Sequence, residues 1–321
     1  MTVRIGVIGA GYLGTFHCEK YKHLDNAELV AIADTDEDKR KKAAERFKVD
    51  VVPDYRSLAG KVDAVSVVVP TVRHYEVAGF FLKRSIPVLL EKPITDTVAH
   101  ARKLVSLAQH HKTAFQIGHL ERFNSAIRTV KDMIRRPVFI EVHRLSPFTV
   151  RGTDVDVVRD LMIHDLDIIL SLIPSDIVSI DAVGVPVLTR KIDIANARLK
   201  FKNGCVANVT ASRVSTERMR KIRLFQSDAY FSIDYGASKV NIVRIHQGPS
   251  PELDAHQLEI SKEDSLLEEI KSFIHAVRTG EEPVVSGRDG LSALEVAFKV
   301  LARIHKNLAV VGYEKNTDHS G

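Results

Sequence analysis

Two short groups of residues in this sequence have side chains that can exchange protons. Asp160 and His164 are four residues apart, a spacing that places both on one face of a helix, where they can share a site. Histidine titrates near neutral pH and is suited to act as a general base. Lys92 lies between Glu91 and Pro93 and can stabilise negative charge on a bound oxygen, although a surface ion pair explains Glu91 and Lys92 equally well. These residues predict acid–base chemistry.

A glycine motif near the N-terminus predicts a loop that binds a dinucleotide. Gly9, Gly11 and Gly14 form G-x-G-x-x-G between a hydrophobic run and a helix-like segment, the context that this motif requires. The first glycine permits a tight turn, the second lets the backbone approach a pyrophosphate, and the third lets the helix pack on the sheet. Asp34 lies twenty residues after Gly14, where a carboxylate can accept the two ribose hydroxyls of NAD. Because it would repel the 2′-phosphate of NADP, NAD is favoured.

Two further loops are expected at the same edge of the sheet. The segments 70–74 and 91–93 each follow a hydrophobic run, and open α/β sheets bind ligands at the carboxyl ends of their strands. The basic run 39–42 leaves NADP open as the alternative cofactor, and glycines that serve only as turns remain the alternative to a cofactor site. The residues predicted to bind the cofactor are Gly9, Gly11, Tyr12, Leu13, Gly14, Asp34, Pro70, Thr71, His74, Glu91 and Lys92.

The elements that must position these residues follow from hydrophobic periodicity. The first 120 residues alternate β-branched runs with helical patterns, which is typical of a parallel sheet with crossover helices. Predicted strands cover 4–8, 29–33, 64–69, 88–90 and 114–117, and predicted helices cover 11–24, 37–47, 75–84 and 98–110. We therefore predict an N-terminal Rossmann domain that binds NAD at 1–120.

The pattern changes after residue 120. A helix at 125–135, a strand at 138–145 and a helix at 156–172 precede a series of short strands with hairpin turns, and two helices follow. The predicted strands are 178–185, 195–201, 206–212, 221–226, 229–234 and 239–246, and the predicted helices are 265–279 and 290–307. The fold class is thus α/β, with a C-terminal α+β domain at 121–321 that has a mostly antiparallel open sheet, binds substrate and mediates oligomerisation.

The composition of the chain argues against nucleic-acid-binding and membrane proteins. The 321 residues carry a net charge of +5, but Lys and Arg alternate with Asp and Glu and there is no tryptophan, so we expect no nucleic-acid partner. No apolar run approaches the ~20 residues of a membrane span, and no secretory signal is visible, so we expect a cytoplasmic protein without a membrane partner.

Cys18 and Cys205 are expected to be reduced thiols, and His17 and Cys18 are expected to pack near the cofactor. We expect no metal, because neighbouring side chains in the His164–Asp167 cluster diverge on a helix.

The combination of the glycine loop, Asp34, the segment 70–74 and Glu91-Lys92-Pro93 resembles the Gfo/Idh/MocA family of sugar and polyol dehydrogenases. Three later segments are similar to that family as well, namely 118–124, the D-x-x-x-H motif at 160–164, and 283–295. The resemblance covers nearly the whole chain. It implies hydride transfer from a secondary alcohol carbon of a sugar to C4 of the nicotinamide.

The resemblance also implies which residues are catalytic. Lys92 would stabilise negative charge on the substrate oxygen, His164 would take the alcohol proton, and Asp160 would hydrogen-bond the substrate or tune its neighbours. Whether Lys92 or His164 is the formal base stays open. Substrate is expected to contact Lys92, Arg122, Asn124, Asp160 and His164.

The segments 11–17 and 118–124 are most similar to family members that oxidise UDP-N-acetylglucosamine at C3. Such members make a 3-keto sugar for a partner aminotransferase, as in lipid A biosynthesis. The family resemblance further implies a homo-dimer or homo-tetramer. A dehydrogenase of a free polyol or monosaccharide and a non-catalytic NAD(P)-binding regulator are the alternatives. Arginines that can bind a diphosphate are Arg122, Arg144, Arg151, Arg159, Arg213, Arg218 and Arg220.

Overall fold

The first part of the chain forms a six-stranded parallel sheet. The computed structural model describes residues 2–149, 155–246 and 252–312. In chain order the first elements are β1 (Val3–Ile8), α1 (Tyr12–Lys22), β2 (Ala27–Ala33), α2 (Glu37–Phe47), β3 (Asp50–Val52), β4 (Ala64–Val67), α3 (His74–Leu82), β5 (Val88–Glu91), α4 (Val98–His110) and β6 (Phe115–Gly118).

The strand order creates a candidate ligand-binding edge. The order is β3-β2-β1-β4-β5-β6, and every neighbouring pair is parallel. The chain therefore reverses its direction of travel across the sheet between β1 and β4, which is where open α/β sheets bind ligands. The predicted Rossmann sheet is confirmed, and β3 is a short edge strand that the sequence pattern does not reveal.

Side chains at the helix starts explain where several helices begin. The carboxylate of Asp36 accepts the backbone N–H of Lys39 and caps α2, and the hydroxyl of Thr97 accepts the N–H of His100 and caps α4. Each cap satisfies one of the backbone donors that a helix start leaves unpaired. By contrast, the residue before α1 is Gly11, which has no side chain that could cap the helix.

The second sheet has eight strands. The elements of this part of the chain are α5 (Ser125–Val130), β7 (Phe139–Leu145), α6 (Ile163–Leu172), β8 (Ile177–Val185), β9 (Ile194–Phe201), β10 (Val206–Ser212), β11 (Met219–Gln226), β12 (Ala229–Asp234), β13 (Lys239–His246) and β14 (Glu252–Glu259). The strand order is β14-β13-β12-β11-β7-β10-β9-β8, and all neighbours are antiparallel except β7 and β10.

The mostly antiparallel sheet is confirmed, with three local differences. Strand β14 is absent from the prediction. The predicted helix 125–135 ends at Val130 and continues as a 3₁₀ turn over Lys131–Met133. The predicted helix 156–172 is divided into a π-helical segment, Val158–Met162, and α6.

The last two helices are α7 (Ser265–Thr279) and α8 (Gly287–Val310). The chain divides into two compact units: the first takes the residues up to Phe123 together with Glu263–Leu294, and the second takes Asn124–Lys262 together with the residues from Glu295 onward. The sequence-based division at residue 120 differs from this arrangement, because it assigns Glu263–Leu294 to the C-terminal domain, whereas the structure places this segment in the first unit. Helix α7 contributes Ile270, Phe273 and Ile274 to the hydrophobic core of the first unit, beside residues of β1 and β2.

None of the helices in the described ranges combines the length and the apolar composition needed to cross a lipid bilayer. Nor do the described residues contain a cluster of three or more His, Cys, Asp or Glu side chains arranged to hold a metal ion.

Candidate active site

The glycine loop after β1 requires glycine at two of its three glycine positions. Gly9 has φ of +101°, and a Cβ at this residue would lie 2.3 Å from the carbonyl oxygen of Val68. A Cβ on Gly14 would lie 1.8 Å from the carbonyl oxygen of Gly9. At Gly11, a Cβ would meet nothing within 4 Å. The first and third glycines are therefore required by packing, whereas the second leaves open space in front of the backbone, as close approach of a pyrophosphate requires.

Asp34 ends β2 and is bound to this loop. Its Oδ2 accepts the backbone N–H of Ala10 at 2.7 Å, and its Oδ1 accepts the N–H of Asp36 at 2.9 Å. The Arg40 guanidinium donates to the backbone carbonyl of Asp34, not to its carboxylate, at 2.8 Å. A carboxylate has about four acceptor positions, so the two used by the backbone leave capacity for ribose hydroxyls.

Glu91 and Lys92 end β5, and the carboxylate of Glu91 is held from two directions. Its Oε1 lies 3.2 Å from His17 Nε2, and its Oε2 accepts the backbone N–H of Lys92 at 3.2 Å. Burial raises the pKa of Glu91, but the hydrogen bond from His17 and the charges of His17, Lys92 and His74 outweigh it and leave the pKa below its usual range. Lys92 is half-buried beside this carboxylate.

His17 continues into a buried hydrogen-bond chain that sequence reasoning missed. Its Nδ1 lies 3.3 Å from Ser66 Oγ, which lies 2.7 Å from the hydroxyl of Tyr21. All three side chains are at most 1% exposed. The four-residue spacing of His17 and Tyr21 on α1 places them on one helix face, but nothing in the sequence indicates that Ser66 and Glu91 are their partners.

His74 joins two loops at the edge of the sheet. Its Nδ1 lies 2.9 Å from the carbonyl oxygen of Pro93, and its Nε2 lies 2.9 Å from that of Val69. The ring is 1% exposed, and burial lowers its pKa. A neutral imidazole has one N–H and donates to only one of these carbonyls. His74 thus fastens the loop that carries Pro70 and Thr71 to the segment that follows Lys92.

The junction after β6 places a second buried histidine near Lys92. Burial, followed by the charges of Lys92 and Arg122, lowers the pKa of His119 to about 3. Arg122 is half-buried and donates to the carbonyl of Val284 at 3.2 Å. Asn124 opens the second unit, where its side-chain oxygen accepts the N–H of Ala126 at 3.0 Å and caps α5.

In the second unit, Asp160 lies in the π-helical segment and His164 in the first turn of α6. The N–H of Ile163 bonds to the carbonyl of Val158, which is the wider i to i−5 pattern. Both candidate side chains are half-buried. The next residue, Asp165, is fully buried. The spacing of four residues is as predicted, but the backbone that presents it is not a uniform α-helix.

Several predicted diphosphate cations have internal partners. Arg144 donates to both carboxylate oxygens of Asp165 at 2.7 and 2.9 Å, and Arg213 donates to Asp193 Oδ1 at 2.8 Å and to a backbone carbonyl. Arg159 pairs with Asp156 at 2.6 Å. Arg218 and Arg220 are exposed, and Arg151 lies outside the described residues. The buried pairs therefore stabilise the second unit, and charge composition alone overstated the cations available to a ligand.

Within the first unit, the structure brings the predicted cofactor residues to one edge. They lie in the segments that follow β1, β2, β4 and β5, on both sides of the strand reversal. Asp160, His164 and Asn124 belong to the second unit.

Comparison with known proteins agrees with this architecture. Residues 3–119 match the model of an oxidoreductase family with an NAD-binding Rossmann fold, Gfo/Idh/MocA, and residues 127–232 match a C-terminal domain model of the same family. The chain is 35% identical to UDP-N-acetylglucosamine 3-dehydrogenase of Acidithiobacillus ferrooxidans, over 93% of this chain and 96% of that protein. A solved structure of that enzyme superposes with a TM-score of 0.90 at 34% identity, covering 95% of this chain and 98% of that one.

A second relative has a different kind of substrate in its name. The chain is 27% identical to myo-inositol 2-dehydrogenase of Thermotoga maritima, over 96% of this chain and 98% of that protein. The resemblance and the enzyme class inferred from sequence are thereby confirmed. From two family models and full-length relatives, the chain is an oxidoreductase that belongs to the Gfo/Idh/MocA family.

Proposed function

We propose that this protein oxidises the C3 hydroxyl of UDP-N-acetylglucosamine with NAD as hydride acceptor. The observation that carries the proposal is the placement of Lys92, a half-buried cation beside the partly buried Glu91 carboxylate, at the carboxyl edge of the parallel sheet. The choice of substrate is supported by the 35% identity to a named UDP-N-acetylglucosamine 3-dehydrogenase over nearly the full length of both chains.

The shape of the glycine loop fits a dinucleotide, because Gly11 leaves space where a pyrophosphate must approach the backbone. When bound, the nicotinamide ring would supply the hydride acceptor at its C4. The diphosphate would be held by Gly9, Gly11, Tyr12, Leu13 and Gly14, the ribose by Asp34, and the nicotinamide end by Pro70, Thr71, Glu91 and Lys92, with His74 fixing the loops between them.

The residues of this chain then handle the proton. The Lys92 ammonium stabilises the negative charge that develops on the substrate oxygen as its carbon is oxidised. Either His164 accepts the hydroxyl proton beside the Lys92 ammonium, or Lys92 starts as the neutral amine and becomes the ammonium by accepting that proton. Asp160 hydrogen-bonds the substrate or tunes its neighbours. Arg122 and Asn124 contact the substrate in this proposal, with Asn124 also capping α5.

The first test is NADH formation with purified protein, NAD and a panel of UDP-N-acetylglucosamine, UDP-glucose, myo-inositol and glucose. A glutamate-dependent aminotransferase in parallel reactions would remove unstable ketone, and it represents the class of partner that consumes the product. Lys92→Ala and His164→Ala should each lower kcat by about 10²–10⁴-fold while NAD binding is retained. Lys41→Ala, on the exposed face of α2, is the matched control. Turnover that survives in both site variants would refute the catalytic assignment.

NAD over NADP is the proposed preference. The Asp34 carboxylate would repel a 2′-phosphate, and the nearby Arg40 is already bonded to a backbone carbonyl. Asp34→Ala should weaken NAD binding and improve NADP binding. Asp36→Ala, which removes a neighbouring carboxylate that caps α2, should leave the ratio of the two affinities unchanged. An unaltered ratio in Asp34→Ala would remove the ribose role.

A free polyol is the second candidate substrate, favoured by the full-length similarity to a myo-inositol 2-dehydrogenase. Response to myo-inositol alone would select it. We also propose that the protein forms a homo-dimer or homo-tetramer, because the second sheet exposes apolar side chains such as Val178, Val183 and Phe225. Light scattering tests the oligomeric state.

A further inference from the structure

We propose that His17 is a positioning residue for Lys92. By holding the carboxylate of Glu91 against the backbone N–H of Lys92, it sets both the location and the charge environment of that lysine. This inference rests on the proposed function, in which Lys92 acts on the substrate oxygen.

The carboxylate of Glu91 is confined on three sides. His17 binds Oε1, the N–H of Lys92 binds Oε2, and the backbone of Gly118 on the neighbouring strand lies against the carboxyl group. A Cβ on Gly118 would lie 3.1 Å from Oε2 of Glu91. Because Oε2 of Glu91 accepts the backbone N–H of Lys92, holding the glutamate side chain in place also restrains the backbone from which the lysine extends.

The hydrogen-bond chain behind His17 fixes the orientation of the imidazole ring. An ionised Glu91 only accepts, so Nε2 of His17 must donate to it. Nδ1 can then accept the hydroxyl of Ser66, whose oxygen accepts the hydroxyl of Tyr21. The tautomer of His17 is inferred from these partners. With it, each donor of the chain has an acceptor, and all the hydrogen bonds point from Tyr21 towards Glu91. The ring is 1% exposed, so His17 acts on the site through Glu91 rather than by touching a ligand.

His17 is one of the groups that keep the carboxylate of Glu91 ionised. The ionisable groups that act on Glu91 are His17 on α1, His74 on α3 and Lys92 itself. The charges of Lys92 and Arg122 both act on His119, which follows β6. Burial opposes the charge of Glu91, and the hydrogen bond from His17 is the first effect that counteracts it. Loss of His17 removes this hydrogen bond, so the pKa of Glu91 should rise and its carboxylate should stabilise the ammonium of Lys92 less.

The experiment compares His17→Leu, which removes both ring nitrogens at similar volume, with His17→Gln, whose amide can still donate to Glu91. Cys18→Ala is the matched control, since Cys18 is the next buried residue of α1 and packs in the hydrophobic core. We expect kcat to fall by about 100-fold in His17→Leu, with most of it recovered in His17→Gln and with NAD affinity unchanged. Equal loss in His17→Leu and Cys18→Ala would overturn the proposal, because it would indicate a general packing effect.

A second readout does not need a substrate. Lysines can be reductively methylated with ¹³C, and the Lys92 signal is identified by its loss in Lys92→Arg. In His17→Leu this signal should titrate at lower pH than in the parent protein, and in Cys18→Ala it should not move. If His17→Leu does not fold, Glu91→Gln must produce the same displacement. An unmoved Lys92 signal in the folded variant refutes the positioning role, whereas absence of turnover with the parent protein refutes only the proposed substrate.

Discussion

Each unit of the molecule buries a carboxylate directly beside a candidate catalytic residue, but the two carboxylates have different partners. Glu91 precedes Lys92 and is bound by His17, with side chains 14% and 1% exposed. Asp165 follows His164 and is bound by Arg144 through two hydrogen bonds, with side chains 1% and 5% exposed. A guanidinium stays charged at every relevant pH, whereas an imidazole can gain or lose a proton.

The difference indicates two ways of fixing a reactive side chain. In the second unit, a permanent ion pair joins α6 to β7 and holds the first turn of the helix that carries His164. In the first unit, a chain of hydrogen bonds through Tyr21, Ser66 and His17 holds Glu91. The ion pair should therefore matter most for stability, whereas the pH dependence of stability should come from the first unit, where burial lowers the pKa of His74 and of His119.

The largest expected effect is the loss of stability when the ion pair between Arg144 and Asp165 is broken. Arg144→Met leaves Asp165 buried without its cation and should lower the free energy of unfolding by about 3–5 kcal/mol. Urea denaturation measures it. Arg223→Met, which breaks an exposed pair with Glu141, is the control and should cost at most about 1 kcal/mol. Replacing both partners, as Arg144→Met with Asp165→Leu, should recover most of the stability, and failure to recover would mean that the pair does more than satisfy its own charges.

An intermediate effect concerns pH in the first unit. The pKa of His119 is lowered to about 3 in the folded state from 6.5. Between these values the unfolded chain binds more protons, so stability should rise with pH across this window, with a slope of at most about 1.4 kcal/mol per pH unit from this residue. His119→Asn should flatten that slope in unfolding experiments at several pH values. The loss caused by Arg144→Met should instead become smaller as the pH falls, because the Asp165 carboxyl left buried without its cation is protonated more readily.

The smallest expected effect is the loss of stability when one hydrogen bond of the chain is removed. Tyr21→Phe removes only the hydroxyl that bonds to Ser66 and should cost about 1 kcal/mol of unfolding free energy. Tyr55→Phe, whose hydroxyl bonds to the exposed Glu76, should cost less. Thermal or urea denaturation distinguishes them. A loss in Tyr21→Phe as large as that in Arg144→Met would contradict the contrast between a chain of neutral links and an ion pair.

The sequence predicts best what depends on short-range pattern. The order of the first strand, the three glycines and Asp34 is sufficient to predict the glycine loop. The parallel sheet forms where β-branched runs alternate with helical patterns in the sequence. The i, i+4 spacing of Asp160 and His164 is likewise readable, but it does not distinguish an α-helix from the π-helical segment that contains Asp160. That choice depends on how the segment packs in the second unit.

Partners distant in sequence were the least predictable features. His17 and Glu91 are 74 residues apart, and Arg213 and Asp193 are 20 apart on different elements. Residue type alone made Arg144 and Arg213 candidates for a bound diphosphate, whereas both neutralise buried carboxylates. Burial and pairing are properties of the folded chain, so composition supplies the charge but not its partner.

The return of the chain to the first unit has a consequence for synthesis on the ribosome. The core of that unit includes Ile270, Phe273 and Ile274, and the side chain of Gln116 donates to the carbonyl of Glu269. The nascent sheet is complete when β6 emerges, but α7 begins only about 150 residues later, on the order of ten seconds at ordinary rates of chain elongation. During this interval, part of the apolar surface of a finished sheet awaits its covering helix, and a chaperone that binds exposed apolar segments would have its substrate there.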